Sequence, residues 1–97
     1  MWIYKDQQGK RRPGVIVGVS NVIAEIDVTV SKITSQKKRD KWDIFIENWK
    51  EIGLNKPSVV RCTKLSTIRK DDLIFKAAVL DEETIQKISQ TIIKYFT

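Results

Sequence analysis

The chain has 97 residues, the size of one ordinary domain, and its 41% hydrophobic and 31% charged content is that of a globular chain, not a disordered one. Eighteen Lys and Arg against twelve Asp and Glu give a formal charge of +6, which attracts polyanions at long range, nucleic acid first and an acidic protein segment second. A single cysteine and no histidine exclude an internal disulfide and a zinc cluster, and short apolar runs with no signal-peptide start point to a cytoplasmic protein without a membrane partner.

Trp2-Ile3-Tyr4 opens the chain with a short β-rich segment, and Lys5 to Arg12 form a polar loop around Gly9. Gly9-Lys10-Arg11-Arg12-Pro13-Gly14 bunches positive charge on a glycine-bounded turn, which suits either a solvated hairpin loop or a grip on a phosphate backbone. Pro13 fits the first residue of a strand, where its missing N–H does least harm. Val15 to Val19 supplies that strand, and Asn21 ends it. From Val22 onward the chain alternates, with Val22, Ala24, Ile26, Val28 and Val30 on one side and Glu25, Asp27, Thr29 and Ser31 on the other. Glu25 and Asp27 read as the wet face of this strand rather than as a metal pair. The same parity carries Lys32 and Thr34 onto the apolar side, so the strand should end near Ile33 with Thr34-Ser35-Gln36 at its mouth.

Gln36 to Lys41 form a basic loop containing Lys37, Lys38, Arg39 and Lys41, and Asp43-Ile44-Phe45-Ile46-Glu47 reads as a strand. Gly53 and Pro57 bracket a turn. Ser58 to Leu65 is a further strand, placing Val60 and Cys62 on one face and Val59, Arg61 and Thr63 on the other, and Thr67-Ile68 can continue its pairing. Cys62 reads as a small buried apolar residue. Leu73 to Leu80 suits either a short helix or a strand. Asp81 is a good N-cap, Glu82 and Glu83 complement a helix dipole, and Ile85, Ile88, Ile92 and Phe96 form a helical stripe suited to core packing. Trp2, Trp42 and Trp49 suit base stacking or, more commonly in so small a domain, core and dimer contacts. The outline is mainly β with a C-terminal helix: a small, twisted, mostly antiparallel sheet or partly open barrel.

Arg12-Pro13 before a valine-rich strand, Ile33-Thr34-Ser35 at a later strand end, Gly53-Leu54, and Ser58-Val59-Val60-Arg61-Cys62 follow one another at a characteristic spacing. In this order they resemble the PemK/MazF toxins of bacterial type II toxin–antitoxin systems over nearly the whole chain. The resemblance implies an SH3-like barrel that forms a homodimer and cleaves single-stranded RNA without a metal or other cofactor. It also implies a cognate antitoxin whose acidic disordered segment blocks the groove. Among site residues it implies catalytic roles for Arg12, Thr34 and Arg61, with Gln7, Lys10, Arg11, Ser35, Gln36 and Lys64 on the substrate.

Metal-free transesterification requires the ribose 2′-OH to lose its proton, a cation to stabilise the phosphorane, and an acid to protonate the leaving 5′-oxygen. Histidine, the usual proton carrier, is absent. Arginine is a poor proton donor and a good bidentate phosphate clamp, so Arg12 reads as an electrostatic stabiliser. Thr34 either bonds the phosphate or 2′-OH or, as a strand-end threonine, bonds its own backbone. Arg61 shares parity with Val59 and Thr63, which by itself makes it a solvent-facing strand residue. The chain departs from the family where Thr63-Lys64 replace an acidic residue and glutamine, and where Gln7, with Asp6 adjacent, replaces an acid upstream of Arg12. These departures leave a second reading: an inactive member acting as a nucleic-acid-binding barrel, or a CcdB-like toxin directed at gyrase.

Overall fold

The computed structural model describes residues 1–22 and 25–97, with the side chains of residues 20–26 outside that description. The strands are β1 (Trp2–Lys5), β2 (Arg11–Val22), β3 (Glu25–Thr34), β4 (Asp43–Phe45), β5 (Val59–Arg69) and β6 (Leu73–Lys76). A 3₁₀ turn at Lys70–Asp72 separates β5 from β6, and one helix, α1 (Glu82–Phe96), follows. The strands form a single antiparallel sheet in the order β4-β5-β3-β2-β1-β6. The ambiguous segment after Leu73 is thus a strand, held against β1.

The sheet does not close into the expected barrel. Closure would need its two edges to pair with a matching stagger. Those edges are β4 and β6, of three and four residues, and each pairs on one side only.

Two strand ends also differ from expectation. Pro13 is the third residue of β2, not the first, and lies opposite Ile3. The β2–β3 ladder starts one residue later, at Gly14 opposite Lys32, so at Pro13 the strand still has a neighbour on one side only. Asn21 does not end β2, because the ladder continues through Asn21↔Ile26 and Val22↔Glu25. Val22 therefore belongs to β2. The inward alternation expected at Val22, Ala24 and Ile26 lies outside the described side chains.

Along β2 and β3 the strand period of two splits the apolar residues between two clusters, whereas along β5 the register jump separates Val60 and Cys62 from Ile68. Val15, Ile33, Val60 and Cys62 join Met1, Ile46, Leu80 and Ile88 under α1. Tyr4, Val28, Val30 and Ile68 form the other cluster, with Ile16 and Leu73 against it. β3 serves both, and its pairing with β5 jumps from Ser31↔Leu65 to Lys32↔Arg61. This irregularity bends the sheet where Lys32 and Thr34 emerge.

Helix α1 is capped as read from the sequence, with Asp81 Oδ1 accepting from the Thr84 N–H at 2.8 Å. Its apolar stripe is only partly core. Ile88 is buried and Ile92 half-buried, whereas Ile85 and Phe96 are 43% and 65% exposed. The helix packs chiefly on β5 and the short β4, which leaves the ends of the stripe uncovered. No described helix is long and apolar enough to cross a membrane.

Candidate functional site

The β1–β2 turn is organised by one carboxylate. Asp6 Oδ1 accepts from the backbone N–H groups of Gln8 and Lys10, both at 2.9 Å, and Gly9 turns the chain at φ 78°. That leaves Oδ2 facing Arg12 Nε at 3.1 Å. The Lys10 N–H foremost, and the Arg12 guanidinium after it, hold the Asp6 carboxyl below its ordinary range. Behind the pair, burial and then the Asp6 charge push the Tyr4 hydroxyl up. Tyr4 lies against Gly14, where an added Cβ would meet its Cε1 at 2.8 Å.

Arg12 opens onto a cleft of about 570 Å³, with Pro13, Lys32, Thr34, Ser35, Gln36 and Lys56 among its lining. Thr34 Oγ1 accepts from the Gln36 N–H at 3.2 Å, closing the strand mouth into a hydroxyl-bonded turn. A hydroxyl that accepts still has its proton to donate, so Thr34 can serve its own backbone and a ligand together. Lys32 and Lys56 were not singled out in the sequence. Lys32 shares β3 parity with Thr34, which was the available signal; Lys56 is brought in by the turn before β5, which no periodicity marks.

Gln7 lies elsewhere. With Tyr4, Asp6 and Gln8 it lines a second cleft of about 530 Å³, closed on the far side by residues 65–68. The Asp6–Arg12 pair stands between the two clefts. Lys10, Arg11 and Lys64 are exposed and outside both linings.

Arg61 is neither solvent-facing nor on the cleft wall. Its side chain is 6% exposed and enclosed by the loop of residues 36–42. Nη1 donates to Gln36 Oε1 at 2.8 Å, Nη2 donates to the Lys37 carbonyl at 3.3 Å, and Nε lies 3.5 Å from Asp43 Oδ2. The Arg61–Asp43 contact is an ion pair; Asp43 is fully buried, and its Oδ2 accepts its hydrogen bond from the Arg39 N–H at 2.9 Å. Strand alternation would send Arg61 to solvent, but the basic loop folds over that face and makes it interior. The adjoining Cys62 is buried as expected, and burial, then the Asp43 charge, push its thiol up to about 11.

Trp49 packs against the core, whereas the Trp42 ring meets Tyr95 edge-on at 5.2 Å with Lys41 Nζ 4.7 Å above it. No cluster of three metal-ligating side chains occurs among the described residues, and the Glu25 side chain lies outside that description.

An antiparallel sheet with a C-terminal helix and a cleft whose charged lining, Arg12, Lys32 and Lys56, is wholly cationic defines a small basic β protein with an anion-facing site. Residues 3–96 match the PemK-like, MazF-like toxin family of type II toxin-antitoxin systems, and the chain belongs to that family. Among solved structures it is similar to the Mycobacterium tuberculosis toxin MazF-mt6, at 26% identity and a TM-score of 0.76 over 99% of this chain and 96% of that one. A second Mycobacterium tuberculosis toxin gives 27% identity and a TM-score of 0.68 over 86% and 90%. A mycobacterial endoribonuclease in complex with its cognate antitoxin shares the fold at 19% identity, with a TM-score of 0.72 over 98% and 90%. No curated protein matches the chain.

Proposed function

We propose that this toxin is an endoribonuclease that cuts single-stranded RNA in the Arg12–Thr34 cleft. The ribose 2′-oxygen loses its proton to solvent water and attacks the adjacent phosphorus, and the bond to the 5′-oxygen breaks as that oxygen takes a proton from water. The products are a 2′,3′-cyclic phosphate and a 5′-hydroxyl. Arg12, oriented through Nε by Asp6, offers its two terminal nitrogens to the phosphorane oxygens. Thr34 donates its hydroxyl proton to the same phosphate, and Lys32 and Lys56 hold the flanking backbone. The cleft lining presents cations, hydroxyls and amides and no carboxylate, which supports a reading in which cationic side chains, rather than a metal held by the lining, balance the phosphate charge. With no imidazole in the chain and Asp6 committed to Arg12, the protein contributes charge stabilisation more than proton transfer.

The observation that carries this reading is the meeting of Arg12 and Thr34, 22 positions apart in sequence, on one cationic wall. An antitoxin with an acidic disordered segment is the fitting partner, since the same cations would bind carboxylates in place of phosphates. We assign the working unit to a homodimer.

Purified protein incubated with single-stranded RNA in EDTA should produce 2′,3′-cyclic phosphate ends, and Arg12→Ala should slow this by roughly 10²-fold or more. Intact RNA under these conditions overturns the catalytic reading. Binding without new ends would indicate the non-catalytic reading that Thr63-Lys64 suggest.

A further inference from the structure

Arg61 Nη1 donates to Gln36 Oε1 at 2.8 Å, and this contact removes an ambiguity that glutamine usually carries. A carboxamide can present either its oxygen or its NH₂ group to a ligand, and the two ends are alike in shape. A guanidinium only donates, so the end facing Arg61 has to be the oxygen. The NH₂ end is left for the cleft that Gln36 lines, and no group among the described residues accepts from it. Arg61 cannot swing away to permit a flip. It is held by the Lys37 carbonyl and by Asp43, and Asp43 is fixed in turn by the Arg39 N–H.

We infer that Gln36 is a base-selecting donor, set by Arg61 and Asp43 as positioning residues, and that it favours RNA bases carrying a keto oxygen rather than an amino group at purine C6 or pyrimidine C4. This rests on the endoribonuclease reading of the cleft. Guanine O6 and uracil O4 accept from an NH₂ group, whereas adenine and cytosine present an amino group there. Amino against amide leaves two donors facing each other unpaired, which costs more than the good pair gains. A preference of about tenfold for guanine or uracil at one position is the expected size.

Two measurements on the full chain test this. In the first, an RNA pool randomised around the cut is digested and its ends are sequenced. In the second, binding of 2′-O-methyl oligouridylate is compared with 2′-O-methyl oligocytidylate, a pair that cannot be cut and that exchanges keto for amino. The wild type should place guanine or uracil at one fixed position and bind the uridylate about tenfold more tightly. Gln36→Glu keeps one oxygen on Arg61 and turns an acceptor outward, so the preference should move to adenine and cytosine. Gln36 is exposed, so this variant should fold. Arg61→Lys cannot span all three partners, and its keto preference should collapse while cutting stays detectable.

An unchanged base spectrum in Gln36→Glu, or a wild type that prefers amino bases, overturns the inference. So does an Arg61→Lys variant that cuts more slowly at every site with its spectrum intact, because Arg61 would then act on the phosphate itself. If the wild type binds uridylate preferentially but cuts nothing, the catalytic reading fails and this inference stands. If it binds neither oligonucleotide, the inference fails as well.

Discussion

Asp6 and Arg12 face each other across the β1–β2 turn, Oδ2 to Nε at 3.1 Å, while the other oxygen of Asp6 holds two backbone N–H groups of that turn. One carboxylate therefore shapes the loop and aims the guanidinium. Asp6→Asn separates the two tasks, since the amide keeps an oxygen for Gln8 and Lys10 but puts a donor against Arg12. RNA cleavage should show a kcat lower by about tenfold, with KM not raised because the net charge increases by one. A variant with unchanged kcat would show that Arg12 needs no such aim.

Acid should weaken the fold through the same group. The Asp6 carboxyl is held down first by the Lys10 N–H, and Asp81 first by Thr84. Both titrate lower when folded than when unfolded. Their stabilisation is complete above the ordinary carboxylate value of 3.8 and is lost as pH falls through the lowered folded values. Thermal midpoints should be nearly level from about pH 7 to 5 and decline below about pH 4.

Lys10 and Arg11 immediately precede Arg12 in sequence but lie outside the cleft lining. Their charges should steer RNA rather than act on it. Lys10→Gln and Arg11→Gln should each lower the slope of log affinity against log salt by up to about one while leaving kcat near wild type. Equal loss of kcat in these variants and in Arg12→Ala would contradict that division.

Gly14 is fixed by space. An alanine there would bring Cβ to 2.8 Å from the Tyr4 ring and 3.1 Å from the Ser31 carbonyl, so strand β2 or the ring has to shift. Gly14→Ala should cost about 1–3 kcal/mol, lowering the melting midpoint by roughly 5–15 °C.

Cys62 is buried, and its thiol is pushed up to about 11, so the folded chain should hold almost no thiolate at neutral pH. N-ethylmaleimide at pH 8 should leave the native protein unlabelled and modify it fully in guanidinium chloride, as read by mass spectrometry. Rapid native labelling would mean that this part of the core opens readily.

Much of the fold was readable because strand alternation and helix capping are local. Val28, Val30, Val60 and Ile88 are buried where their periodicity placed them, and Asp81 caps the helix it precedes. What escaped were features decided by distant chain. Arg61 is interior because a loop some 20 residues earlier covers it, and alternation within β5 contains nothing of that loop. Barrel closure depended on the lengths of two edge strands, and the exposure of Ile85 and Phe96 on how little sheet lies beneath α1. At the candidate site, Arg12 and Thr34 were singled out through the family resemblance, and both line one cleft. That Gln7 opens on a different cleft was not legible, because the turn at Gly9 decides which way Gln7 and Arg12 diverge.

The Asp6–Arg12 pair also sets a threshold for whatever enters the cleft. An arginine with a carboxylate already on Nε gains less from a single weak anion such as chloride. A phosphodiester offers two oxygens to the terminal nitrogens that remain, and a phosphorane offers more charge still. In the proposed reaction such an internal competitor would filter ligands by charge density, with the attraction rising toward the phosphorane rather than being complete at the moment of binding.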